Sequence, residues 1–192
     1  MSEAKKIVII DNYDSFTYNL VHAVEQIINQ KIDVFRNDKI TAEDCGAYDY
    51  IIISPGPGLP EESGETLNII KMHYQTKKIF GVCLGLQSLV VALGGELINL
   101  EKVFHGIETE MKVTAECPIY KNINNPFIAG RYHSWVADKT LLPKELIVNC
   151  IDEKNEIMGV HHNDYPVFAV QFHPESIMTP DGNKMLENFL KL

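Results

Sequence analysis

Cys83 stands between Gly81 and Gly85 in the run Gly81-Val82-Cys83-Leu84-Gly85-Leu86-Gln87. An apolar run precedes it and an apolar helical pattern follows at once. The spacing predicts a strand, a sharp turn and a helix, with the cysteine at the turn, as in a nucleophile elbow. The flanking glycines suit a turn too tight for a side chain. A new helix aims free N–H groups and the positive end of its dipole at such a position, which favours thiolate over thiol. The thiolate is the nucleophile. The plainer reading is a small core thiol, since free cysteine is among the most buried residue types.

A second constellation is Phe172-His173-Pro174-Glu175-Ser176, at the end of an apolar run over 167–172. It offers an imidazole and a carboxylate two residues apart. A thiolate needs a base that takes up a proton and later gives it to a leaving amine, and histidine has the pKa range for that. A carboxylate beside it fixes the ring and stabilises the imidazolium. Alternatively, His173 simply ends a strand that Pro174 cannot continue, and Glu175 is a solvated charge. His161-His162 makes a poor chelating pair, because neighbours on a strand point to opposite faces. No metal site and no cofactor are expected.

The elements that must position these groups alternate in the first half. Apolar runs over 6–11, 32–35, 50–53 and 78–82 read as strands. A helix capped by Asp14 or Ser15 carries Leu20, Val21, Val24, Ile27 and Ile28 at helical spacing. Residues 65–74 read as a second helix. Residues 84–93 form a third, apolar nearly all round and therefore buried, which Gly94-Gly95 terminates. The alternation predicts an α/β fold with a mostly parallel central sheet flanked by helices. Such sheets bind ligands at the carboxyl ends of their strands. Cys83 and the loop Ser54-Pro55-Gly56-Pro57-Gly58 both follow strands, so they belong on one rim.

The second half adds strands. Turns fall at Asn124-Asn125-Pro126 and Asp152-Glu153-Lys154-Asn155, a hairpin joins 147–151 to 157–160, and a short helix starting at Asp181 or Asn183 runs to Leu190. A length of 192 residues suits one domain with a full core, and 45% hydrophobic residues mark an ordinary globular chain. The net charge of −9 argues against nucleic acid and an anionic membrane surface as partners. No run reaches the length of a membrane span. Asp11 cuts short the first apolar run after Met1-Ser2-Glu3-Ala4-Lys5-Lys6, so a signal peptide is not expected. Four scattered cysteines with no Cys-x-x-Cys pair suit reduced thiols in the cytoplasm, with Cys45, Cys117 and Cys150 structural.

The two signatures together resemble those of the class I (triad-type) glutamine amidotransferases, and residues 54–60 resemble that family's oxyanion loop. The run Asp11-Asn12-Tyr13-Asp14-Ser15-Phe16-Thr17-Tyr18-Asn19-Leu20 narrows the resemblance to the glutamine-hydrolysing subunits of anthranilate synthase and aminodeoxychorismate synthase. Arg131-Tyr132-His133-Ser134 matches another block of these subunits, and the likeness covers essentially the whole chain, 1–192, as one amidotransferase domain.

The resemblance implies Cys83 as nucleophile on the side-chain amide of glutamine, His173 as proton carrier and Glu175 as its orienting carboxylate. It implies an oxyanion site from the N–H of Leu84 and a glycine of Gly56-Pro57-Gly58. Gln87, Ser134 and Trp135 would hold glutamine. The ammonia would go to a chorismate-binding synthase subunit (component I), which the chain has no room to contain. Two departures stand out: Ile107-Glu108-Thr109 replaces the usual Lys-Thr-Ser, and Trp135 replaces the usual leucine. A stand-alone γ-glutamyl hydrolase and a non-catalytic regulatory subunit are the other classes. The 12–20 block argues against the first and the intact Cys83, His173 and Glu175 against the second.

Overall fold

The computed structural model describes residues 5–101 and 103–192. Residues 1–4 of the N-terminal segment read above lie outside them. The strands are β1 (Ile7–Asp11), β2 (Asp33–Arg36), β3 (Tyr50–Ile53), β4 (Lys78–Val82), β5 (Leu97–Asn99), β6 (Ile107–Val113), β7 (Phe127–Arg131), β8 (Trp135–Ala137), β9 (Leu146–Asp152), β10 (Ile157–His162) and β11 (Val167–Val170). The helices are α1 (Thr17–Ile28), α2 (Thr66–His73), α3 (Leu84–Ala92) and α4 (Gly182–Leu190).

Nine strands form one sheet in the order β2-β1-β3-β4-β11-β10-β9-β6-β7. The first five in that order run parallel. The later strands extend the same sheet antiparallel. β5 and β8 pair separately. The inner parallel strands β1, β3, β4 and β11 are buried and mainly apolar because both faces are covered, whereas the edge strand β2 (Asp33–Arg36) is mostly exposed. Ile7, Ile9, Ile52 and Phe80 pack with Leu20 and Val24 of α1 and Phe189 of α4. Val8, Ile10, Ile51 and Ile53 pack with Ile69 and Ile70 of α2 and Leu86 and Leu89 of α3. Alternate residues of a strand thus feed opposite layers. As its composition demands, α3 is buried from Leu84 to Val90.

Local boundaries shift from the sequence reading by a residue or two at several elements, and at three of them the hydrogen bonds are informative. α1 begins at Thr17 with Phe16 at the cap position and no side-chain cap. Asp14 is occupied instead in accepting from the Phe16 N–H at 2.6 Å, and the carboxylate of Asp11 accepts from the Tyr13 N–H at 2.9 Å and the Thr17 hydroxyl at 2.8 Å. These local bonds compete with a regular cap. β11 ends at Val170 rather than 172: the Gln171 N–H still donates to Met158 of β10, but the His173 N–H turns away to the Gly130 carbonyl of β7. α4 starts at Gly182, with Asp181 at the cap position but making no side-chain cap bond. Among the described residues no helix is long and apolar enough to cross a membrane.

Candidate active site

Cys83 occupies the step from β4 to α3 with φ 53° and ψ −99°, a left-handed conformation. A non-glycine residue held there costs about 1–3 kcal/mol, and such strain clusters at functional sites. The surroundings fix it. The Cys83 N–H donates to the Val170 carbonyl at 2.8 Å, and the Cys83 carbonyl accepts from Leu86 and Gln87 at 3.0 and 3.2 Å. Glycine is required where the strand meets the helix: a Cβ on Gly81 would stand 2.6 Å from the backbone carbon of Gly85.

The register of the sheet brings the second signature to the first. β11 lies beside β4 in parallel, with Val170 opposite Val82. His173, three residues past β11, therefore reaches the neighbourhood of Cys83, one residue past β4. The His173 Nδ1 lies 2.7 Å from the Glu175 Oε1, with the two side chains 3% and 0% exposed. Burial alone pushes the imidazolium down. The Cys83 sulfur and the Glu175 carboxylate outweigh it and raise His173 to about 10. The ring is also flanked by Tyr132 at 4.7 Å and Phe16 at 6.1 Å between centroids. The half-buried Asp14, its carboxyl pushed up by burial, lies within electrostatic reach of both His173 and Glu175.

A cleft of about 290 Å³ opens over the sulfur. Its lining includes Gly56, Pro57, Gly58, Cys83, Gln87, Ser134 and Trp135, so the two post-strand loops do share one rim. His173 and Glu175 sit behind that wall, and the Leu84 side chain is buried, leaving its backbone at the start of α3. The 54–58 loop is pinned by Asn12, whose Nδ2 donates to the Ser54 carbonyl at 2.9 Å and whose N–H donates to the Ser54 hydroxyl at 2.9 Å. A Cβ on Gly56 would stand 2.5 Å from that of Asn12. The departure at Ile107-Glu108-Thr109 opens β6 and pairs with Arg131, Gly130 and Ala129 of β7.

One participant escapes a reading of the motifs. Gln171 is fully buried, donates to the Cys83 sulfur at 3.4 Å and accepts from Gln87 Nε2 at 3.3 Å. Its signal in the sequence is a lone amide at the end of an apolar run, two residues before His173. Gln87 Nε2 also reaches the Trp135 carbonyl at 3.1 Å. His161 and His162 are engaged separately, with Asn149 and with the N–H groups of Asp164 and Tyr165. Cys45, Cys117 and Cys150 are buried free thiols whose pKa values burial pushes up to about 11, 11 and 12. A nucleophile at a strained turn, a buried ion pair behind it and a small polar cleft in front suit covalent catalysis on a small amide or ester.

The family described as glutamine amidotransferase class-I matches residues 8–192. The chain is 43% identical over 188 residues to aminodeoxychorismate/anthranilate synthase component 2 of Bacillus subtilis, covering 96% of this chain and 95% of that protein. It is 40% identical over 192 residues to the bifunctional protein TrpGD of Thermotoga maritima, covering 98% of this chain but only 32% of that longer protein. A crystal structure of a glutamine amidotransferase from Thermotoga maritima superposes with a TM-score of 0.74 at 13% identity, covering 97% of this chain and 96% of that one, a likeness of fold.

Proposed function

The chain belongs to the class I glutamine amidotransferases, and we propose that it hydrolyses glutamine and hands the ammonia to a separate chorismate-using synthase subunit. The observation that carries the chemistry is the pairing of a left-handed Cys83 at the β4–α3 elbow with the buried His173–Glu175 ion pair. The thiolate of Cys83 attacks the side-chain carbonyl carbon of glutamine. The carbonyl oxygen becomes an oxyanion held by the N–H of Leu84 and one from Gly56-Pro57-Gly58; one such donor is worth about 3 kcal/mol of barrier. His173 gives its proton to the departing nitrogen, which leaves as ammonia, and a glutamyl thioester forms. Water then attacks the thioester, His173 takes its proton, and glutamate and the thiolate are released. Glu175 keeps the ring oriented and stabilises the imidazolium. Gln87 holds glutamine from the side of Cys83, and Ser134 and Trp135 hold its α-amino and carboxylate end.

The assignment of the acceptor rests on the relatives, whose names couple such a chain to anthranilate and aminodeoxychorismate synthesis. The partner, not this chain, sets which product is made. Four free thiols fit a reducing cytoplasm. The test is Cys83→Ser in the assembled complex. Product formation from glutamine is lost, while product formation from added ammonium salt survives in the partner. A serine variant retaining most glutamine-dependent activity refutes the nucleophile.

A further inference from the structure

Arg131 is among the largest fully buried side chains of the protein, 1% exposed, and the chemistry above does not use it. Its place is built with care. Nη1 donates to Asp152 Oδ2 at 2.7 Å, both side chains being 1% exposed, and the guanidinium lies 3.6 Å from the Phe104 ring centroid. Nη2 is buried with no hydrogen-bond partner among the described residues. A buried ion pair is costly to desolvate and is weak grounds for stability, so its retention calls for another reason.

That reason lies at Nε, which donates to the Nε2 of His133 at 3.1 Å. A guanidinium N–H has no use for a nitrogen that carries its own proton. The contact fixes His133 as the tautomer with hydrogen on Nδ1. Nδ1 stands 3.1 Å from the Trp135 carbonyl and is therefore the donor there. The same carbonyl accepts from Gln87 Nε2 at 3.1 Å. In the other tautomer, the Nδ1 lone pair would face the carbonyl oxygen, acceptor against acceptor. The Trp135 peptide would turn, and the Gln87 amide would keep only its bond to Gln171 Oε1. Burial and the Arg131 charge push His133 down to about 3, so protonation does not rescue the wrong tautomer near neutrality.

We propose that Arg131 and His133 are positioning residues for glutamine: the arginine locks the histidine tautomer, and the histidine holds the Trp135 carbonyl so that Ser134 and Trp135 meet the amino-acid end of the substrate and Gln87 stays placed beside them. The proposal rests on the reading of the cleft as a glutamine site. It separates recognition from reactivity, because the lock touches the cleft wall rather than the sulfur.

The test compares two reagents for Cys83 in His133→Phe and His133→Asn. 6-Diazo-5-oxo-L-norleucine is shaped like glutamine; iodoacetamide is not. Phenylalanine keeps a ring beside Phe104 but donates nothing, while asparagine places an amide N–H near the site of Nδ1. Losing the donor slows labelling by the glutamine-shaped reagent at least about tenfold, with iodoacetamide labelling within about twofold of wild type. The KM for glutamine rises more than kcat falls, and asparagine recovers part of the loss. A folded His133→Phe with unchanged labelling overturns the proposal, as does an equal fall with both reagents. Nitrogen NMR of the wild-type His133 ring decides independently of any variant: a proton on Nδ1 supports the lock, and one on Nε2 overturns it. Wild-type protein that reacts with iodoacetamide but shows no saturable reaction with the glutamine-shaped reagent overturns the glutamine reading, and this inference with it.

Discussion

Replacing Glu175 by glutamine tests the proposed triad with almost no change of shape. The carboxylate accepts from His173 Nδ1 at 2.7 Å with its side chain fully buried, and its second oxygen, Oε2, is buried without a hydrogen-bond partner among the described residues. Glutamine can still accept through Oε1, so the tautomer needed at His173 survives. Two things are lost. A hydrogen bond between two charged groups becomes one whose acceptor is neutral, a difference of about 1–1.5 kcal/mol. The imidazolium, present at the start of the first half-reaction and formed in the second, also loses a counter-ion roughly 4 Å away, worth up to about 4 kcal/mol at an effective dielectric of about 20. The amide nitrogen then occupies the place of Oε2, but that cost of about 1–3 kcal/mol falls on stability rather than on the barrier. The barrier therefore rises by about 2–4 kcal/mol, a fall of roughly 30- to 1,000-fold in kcat/KM. His173→Ala removes the proton carrier itself and costs about 10⁴-fold or more. The assay is glutamate release with saturating partner, with ammonium-dependent synthesis as the control for assembly. Glu175→Gln within about threefold of wild type, or a near-wild-type His173→Ala, refutes the reasoning.

Two further outcomes are expected. Tyr13 is 49% exposed in a left-handed conformation, with its hydroxyl donating to Asp38 at 2.7 Å and Arg36 lying 4.7 Å from its ring centroid, on the segment that carries Phe16 against His173. Glutamate release by the free chain is low and rises on binding the synthase subunit, and Tyr13→Ala or Asp14→Ala weakens that complex about tenfold or more while leaving the thermal midpoint nearly unchanged; full activity of the isolated chain, indifferent to partner, contradicts the coupling. Stability also carries the mark of His133. The folded protein protonates it only near 3 and the unfolded chain near 6.5, so between those values the unfolded state binds the extra proton and stability falls as pH falls. Its contribution is up to about 1.4 kcal/mol per pH unit, and urea unfolding of His133→Phe shows a shallower loss than wild type from pH 6.5 towards 4, a parallel loss being the refuting result.

The elbow was legible because its information is local. Gly81, Cys83 and Gly85 fall at the spacing a strand-to-helix turn demands, and the apolar pattern on each side names the two elements. The same holds for the inner parallel strands, whose apolar runs follow from burial on both faces. The meeting of Cys83 with His173 is different in kind. It depends on β11 inserting between β4 and β10 with Val170 opposite Val82. Register is a long-range property, and a shift of one residue would turn His173 to the other face. A motif resemblance can imply that meeting; periodicity cannot. Gln171 was missed for the same reason, since its partners at Cys83 and Gln87 lie 88 and 84 residues away. The misplaced cap of α1 has a local cause: Asp14 and Ser15 both suit a cap, but the Asp14 carboxylate is spent on the Phe16 N–H.

The sheet also explains why one chain can hold both reactivity and recognition in a small cleft. Its parallel part presents the Cys83 elbow and the Gly56 loop at strand ends, where free N–H groups gather. Its antiparallel part brings β7 to the same rim, and the residues that follow β7 become the wall of the cleft. Each part buries an ion pair near that rim, His173–Glu175 behind the sulfur and Arg131–Asp152 behind the wall. Neither pair is a good bargain for stability, since apolar side chains of similar volume do as well or better in such places. Both make sense as devices that hold an imidazole in one tautomer: His173 by the carboxylate at Nδ1, His133 by the guanidinium at Nε2. The first tautomer leaves a nitrogen free to move protons at the sulfur. The second leaves an N–H on the Trp135 carbonyl, at the cleft wall where we propose that glutamine lies.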